Sequence, residues 1–178
     1  MLKQLSEVMQ ADPRFDDMVA EITDTGVRLM TLEDYHADIT SVELDARVPR
    51  DIRDAFDRAR NAYLYSWFAY DLTTLAQAQG YAVLEFALRT RLGQVENGKR
   101  RAGLDQLIHA ARVQGLLDGL KPLDHVVETS HGGDLTRLLD TMRRFRNELM
   151  HGSTHLNVPG EALYALRDCA SVINHIFR

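Results

Sequence analysis

Five stretches of the chain repeat apolar residues at three- and four-residue steps, the spacing that gathers side chains on one face of an α-helix. The first opens at Pro49, whose fixed φ and missing N–H suit a first helical turn. It places Ile52, Phe56, Ala59, Tyr63, Trp67 and Tyr70 on one face. A break near Asp71-Leu72-Thr73 is expected, because Asp and Thr favour caps over helix interiors. The second stretch, about residues 73–92, carries Tyr81, Leu84, Leu88 and Leu92. The third runs over 102–117 through Leu104, Leu107, Ile108, Ala111 and Gly115, with His109 off that face. Asp134 caps the fourth, which turns Leu135, Leu138, Leu139, Met142, Phe145 and Leu149 to one side. Gly152 then stops it, since glycine readily takes positive φ. The fifth, residues 161–177, holds Leu163, Leu166, Ile173 and Ile176 inside. The expected fold is all-α, an up-and-down bundle of about five helices.

Residues 1–48 depart from this period and read as a small N-terminal arm or hairpin preceding a bundle over 49–178. Residues 1–10 fit a short helix before Asp12-Pro13. The run Ser41-Val42-Glu43-Leu44-Asp45-Ala46-Arg47-Val48 alternates at every second position, which predicts a half-buried strand. A lone strand leaves its edges unpaired, so it is expected to join a small hairpin, with Val27-Arg28-Leu29 a candidate partner, or to pair with another protomer.

Two charges intrude on apolar faces. At about 100° per residue, Arg146 falls about 55° from the centre of the fourth stripe, and Glu85 about 40° from the centre of the second. An arginine does not readily lose its proton, and an unpaired buried charge costs several kcal/mol or more. The economical expectation is a forked ion pair between Glu85 and Arg146; the bland alternative is that each snorkels at the edge of its stripe. The fourth helix thus ends in a polar cluster of Arg146, Asn147 and His151.

That cluster reads Arg-Asn-x-x-x-His and resembles the signature of the HEPN superfamily, small helical bundles of which many are metal-independent RNases that work as dimers. The resemblance covers roughly residues 50–177. It includes the aromatic-rich helix, the helix with Glu85, the following helix, the motif helix and a final helix, in the family's order. It implies a site built from both protomers of a homodimer, with Arg146 and His151 as the catalytic pair. Asn147 stands at the polar position that often follows the Arg, and Glu85 at that of the acidic residue orienting the cluster. Arg143, Arg144 and Ser153 are candidate substrate-binding residues, although Arg143 and Arg144 also read as a solvated helix face. The family's toxins that pair with nucleotidyltransferase antitoxins typically carry Tyr where Ser153 stands, which argues against that mode of neutralisation. The implied setting is bacterial stress response, toxin–antitoxin function or phage defence, with an antitoxin or other regulatory protein as partner.

The chemistry suits these residue types. RNA supplies its own nucleophile, the 2′-OH, so neither metal nor cofactor is required. His titrates near neutrality and can move protons, while Arg can hold and stabilise the scissile phosphate through two N–H groups. Arg146 and His151 differ by about 140° on a straight helix, so the long Arg side chain, the Gly152 stop or a second protomer must bring them together. The alternative is a non-catalytic HEPN-like module that binds RNA, nucleotide or a protein partner.

Composition trims other classes. The formal charge of −5 argues against a broad basic nucleic-acid surface while leaving room for a local site. Positive charge concentrates at Lys99-Arg100-Arg101 and around Arg137, Arg143, Arg144 and Arg146. The longest apolar run, residues 62–70, is too short for a bilayer, the first residues lack a signal-peptide core, and the one cysteine, Cys169, has no disulfide partner within the chain. The cytoplasm is the expected compartment. The aromatics Tyr63, Tyr65, Trp67, Phe68 and Tyr70 offer a base-stacking platform, but their helical spacing favours core. Glu148-x-x-His151 and Glu33-x-x-His36 match a di-iron bundle spacing, yet the helices at 49–70 and 102–117 contribute no Glu. His151-x-x-x-His155 has zinc-like spacing, but Gly152 interrupts the helix between them.

Overall fold

The computed structural model describes residues 3–24, 26–93, 102–120, 142, 144–145 and 158–178. Two single-turn 3-10 helices, Leu5–Glu7 and Pro13–Phe15, lead into an antiparallel hairpin of β1 (Val19–Thr23) and β2 (Gly26–Leu29). Five helices follow among the described residues: α1 (Leu32–Thr40), α2 (Arg50–Tyr65), α3 (Leu72–Arg91), α4 (Leu104–Val113) and α5 (Pro159–Ile176). Among the described residues the protein is mostly helical, as the apolar period predicts, with one small hairpin.

The centre is α3, which packs against α2 on one side and α5 on the other, with α4 also against it. Its buried residues Ala76, Gly80, Val83, Leu84, Ala87 and Leu88 fall within an arc of about 140° at about 100° per residue, one broad stripe. Gly80 marks the closest approach: a Cβ there would lie 2.6 Å from Leu166 Cδ2 of α5. Glycine weakens a helix by about 1 kcal/mol relative to alanine, and the helix contact explains its presence. The predicted inward residues of α5 are all buried, Leu166 and Ile173 completely.

The aromatics after Pro49 form core. Tyr63 stacks on Tyr35 of α1 with ring centroids 4.4 Å apart, and Phe15 lies against Tyr35, Trp67 and Tyr70. Their polar tips are satisfied inside: Tyr35 Oη and Ser66 Oγ are 2.7 Å apart, and Ser66 Oγ donates to the Tyr63 carbonyl. Burial pushes the Tyr35 hydroxyl up to about 12. Tyr65 alone of the group is well exposed, at 55%. Phe15, Tyr35, Ile39, Val42 and Val48 belong to this same core, so much of residues 1–48 is built into the helical body.

Asp12 fastens the N-terminal segment to the α2–α3 corner. Its backbone N–H donates to the Trp67 carbonyl, and its carboxylate accepts from the Tyr70 N–H at 3.1 Å. The same carboxylate accepts from Arg14 N, Nε and Nη2. Arg14 also reaches Asp71 at 2.9 Å and lies over the Tyr70 ring. The Arg14 hydrogen bonds hold the Asp12 carboxyl well below the usual carboxylate range, against the opposing effect of burial.

Three expectations are corrected. Residues 41–48 are not a strand. Val42 and Val48 are buried and Leu44 half-buried, but Ala46 is exposed, the Val48 N–H turns back to the Asp45 carbonyl, and among the described residues no strand pairs with the segment. The Asn174 side chain of α5 takes that place, donating to the Glu43 carbonyl at 3.0 Å and accepting from the Asp45 N–H at 2.7 Å. The hairpin lies earlier, with Ile22 opposite Val27. Secondly, α1 was not expected; its signal is a capping box in which Thr31 Oγ1 accepts from the Asp34 N–H and Asp34 accepts from the Thr31 N–H. Thirdly, the third helix ends at Val113 rather than 117. Gly115, with φ of +68°, is its stop rather than part of its stripe, and Leu116 N–H donates to the Ala111 carbonyl in the hydrogen bond that closes such a terminus. The expected 1–10 helix is reduced to one 3-10 turn; the break expected near Asp71 is present, with α2 ending at Tyr65 and α3 starting at Leu72.

Candidate functional site

Of the candidate site residues, Arg143, Arg146, Asn147, His151 and Ser153 lie outside the described residues, as do Glu148 and His155. What surrounds the start of the motif is visible. Met142, Arg144 and Phe145 are helical, with Met142 and Phe145 buried and Arg144 exposed, as the stripe predicts. The Phe145 ring meets Tyr81 of α3 edge-on, with centroids 5.7 Å apart and planes at 82°.

Tyr81 anchors the chemistry of this neighbourhood. Its hydroxyl accepts from Gln77 Nε2 at 2.8 Å, one turn earlier on α3. Burial pushes that hydroxyl above its ordinary value, and its neighbours Cys169 and Asp168 on α5 add to the effect. Cys169 is a free, wholly buried thiol that burial holds well above its usual range. Asp168, only 7% exposed, is a carboxylate the sequence reading passed over. Its signal was available: it shares a helix face with Ala165 and Val172, at steps of three and four, both buried.

Glu85 lies one turn beyond Tyr81 on α3 and is partly buried, with its side chain 21% exposed. Its partner among the described residues is Arg89, whose Nη2 donates to Glu85 Oε1. This is an i,i+4 pair with Glu on the N-terminal side, the favourable order. Arg89 Nη2 also reaches the Ala102 carbonyl at 3.4 Å ahead of α4, while Arg89 Nε is buried with no hydrogen-bond partner among the described residues. The wheel angle located Glu85 but not this neighbour, which was legible four residues on. The pairing expected with Arg146 falls outside the described residues.

Chemically, the described part offers two carboxylates, Glu85 and Asp168, near the Tyr81–Phe145 contact. Glu33 and His36 are both exposed on α1, and among the described residues no group of three or more His, Cys, Asp or Glu is arranged to hold a metal. No helix among the described residues is long and apolar enough to cross a membrane. Against the models of known protein families, the curated proteins and the solved structures, the chain gives no match.

Proposed function

We propose that the protein is a metal-independent endoribonuclease of HEPN type, cleaving RNA by 2′-OH attack at a site composed from two protomers of a homodimer. The up-and-down bundle is part of that reading. The observation that carries it is the Phe145–Tyr81 contact. It supports a packing in which the residue before Arg146 is anchored on α3, within a turn or so of Glu85, whose carboxylate, already paired with Arg89, has a second oxygen to orient the guanidinium. Arg146 then holds the scissile phosphate through paired N–H groups. His151 moves the proton of the 2′-OH or of the leaving oxygen, Asn147 adds a neutral hydrogen bond, and Arg143, Arg144 and Ser153 contact the RNA backbone. Attack of the 2′-oxygen on phosphorus expels the 5′-oxygen and leaves a 2′,3′-cyclic phosphate. Such an activity belongs in the cytoplasm under restraint by an antitoxin or other regulatory protein.

The test is cleavage of a mixed RNA pool in EDTA by the wild type, His151→Ala and Arg146→Ala, purified identically. The wild type should cut to cyclic-phosphate ends, and each variant should lose activity by about 10²-fold or more. Equal cleavage by all three samples would assign the activity to a contaminant and defeat the proposal. The second reading is a non-catalytic HEPN-like module binding RNA, nucleotide or a protein, since the same cluster can hold a phosphate without cutting it. RNA binding without cleavage would select it.

A further inference from the structure

The β1–β2 hairpin leaves an apolar face in solvent. Register places Ile22 opposite Val27 and Val19 opposite Leu29, and with the irregularity between Val19 and Glu21 these four side chains share one face. All four are exposed: Ile22 at 79%, Val27 at 60%, Leu29 at 48% and Val19 at 44%. The opposite face carries Glu21 and Arg28, and Arg28 is tied to Asp34 of α1 at 2.6 Å. Arg28 ties the hairpin to α1, and both faces reach solvent, with the Glu21 side chain 58% and the Arg28 side chain 49% exposed. A two-stranded sheet is marginal by itself, and a contiguous exposed apolar face marks an interaction surface.

Charge identifies the occupant. Between residues 16 and 34 stand six carboxylates, Asp16, Asp17, Glu21, Asp24, Glu33 and Asp34, against the single cation Arg28. That net −5 equals the charge of the whole chain, so the rest of the protein is neutral and the hairpin region holds all the excess. Nucleic acid, anionic lipid and a second copy of this acidic surface are repelled. Four of the carboxylates lie on or beside β1, whereas Arg28 sits on β2, so the free edge of β1 is the acidic one. An edge strand presents unpaired N–H and C=O groups that accept an added strand. We propose that this hairpin face docks a basic, extended segment of another protein, which lies along β1. Its apolar residues lie beside Val19 and Ile22 and extend the apolar face by one strand, and its lysines or arginines meet Asp16, Asp17, Glu21 and Asp24. The proposal is independent of the ribonuclease reading.

The experiment uses the full chain and a fluorescein-labelled peptide alternating lysine with valine, read by anisotropy, with an alternating glutamate–valine peptide as control. The wild type should bind the lysine peptide and not the control. Ile22→Ser/Val27→Ser and Asp16→Asn/Asp17→Asn/Asp24→Asn should each weaken binding about tenfold, a difference of about 1.4 kcal/mol, with unchanged circular dichroism. Hydrogen exchange should slow on peptide addition at residues 19–23. Binding lost only in the charge variant would reduce the effect to non-specific attraction and overturn the docking face, as would no binding or equal binding of both peptides. Concentration-dependent dimerisation abolished by Ile22→Ser/Val27→Ser would give the face to a second copy, and flotation with phosphatidylcholine vesicles would give it to lipid; either overturns the assignment.

Discussion

Replacing Asp12 by alanine removes the fastening between the N-terminal segment and the α2–α3 corner, and its cost can be worked from the contacts. The Tyr70 N–H is buried and its acceptor is Asp12 Oδ2; stranding a buried donor costs about 1–3 kcal/mol. The Arg14 pair counts for less, because the Arg14 side chain is 43% exposed and keeps Asp71. Screening limits that part to about 0.5–1 kcal/mol. The sum, about 3 kcal/mol, should lower Tm by roughly 6–12 °C for a chain of this length. Asp12→Asn keeps one acceptor oxygen and should lose about half as much. The pH dependence has a definite sign. Asp12 has a depressed folded pKa, so its stabilisation is complete above the unfolded value of about 3.9 and is lost as pH falls through the folded value. The stability gap between wild type and Asp12→Asn should therefore be full at pH 6–7 and shrink steadily below about pH 4. Urea unfolding across that range measures it. A gap that does not change with pH, or an alanine variant within about 0.5 kcal/mol of wild type, the range of ordinary surface substitutions, would refute the reasoning.

Gly80→Ala sets a gain of about 1 kcal/mol in helix propensity against overpacking of about 1–3 kcal/mol at Leu166, so thermal denaturation should show a net loss near 1 kcal/mol; a stabilised variant would mean that Leu166 yields freely. Asn174→Ala should cost about 1 kcal/mol and speed hydrogen exchange at Asp45, and Asn174→Asp should do no better, since a carboxylate cannot donate to the Glu43 carbonyl. Cys169 should resist a disulfide reagent in the native state and react fully in urea, because the thiolate is the attacking form and burial disfavours it; rapid native labelling would contradict its burial.

The long helices were legible because α2, α3 and α5, at 16, 20 and 18 residues, repeat the apolar step often enough to outweigh accidents. Nine-residue α1 offers only Tyr35 and Ile39 as buried positions, and its capping box was the better signal. Alternation at 41–48 reported the inward side chains of Val42 and Leu44 but is blind to the turn after Asp45 and to what satisfies the backbone. A side-chain amide from residue 174 serves as well as a strand, and no local pattern announces it. Gly115 had two meanings, stripe or stop, and the positive φ decides. At the candidate site, periodicity gave the depth of Glu85, Met142, Phe145 and Arg144 without the partners. The Arg89 neighbour of Glu85 and the buried Asp168 depend on how helices meet, which a single wheel does not encode.

The position of α3 between α2 and α5 also sets an order of events during synthesis. At about 5–20 residues per second, the 67 residues separating the end of α3 at Arg91 from the start of α5 at Pro159 take roughly 3–13 s to emerge. Through that interval the Gly80 side of α3 has no Leu166 to meet, and the 41–48 segment has no Asn174. The nascent chain thus presents an apolar helix face and a segment whose backbone lacks its side-chain partner, exposed surface that chaperones bind and that aggregates when they do not. Translation speed over residues 92–158 is accordingly a determinant of the yield of folded protein.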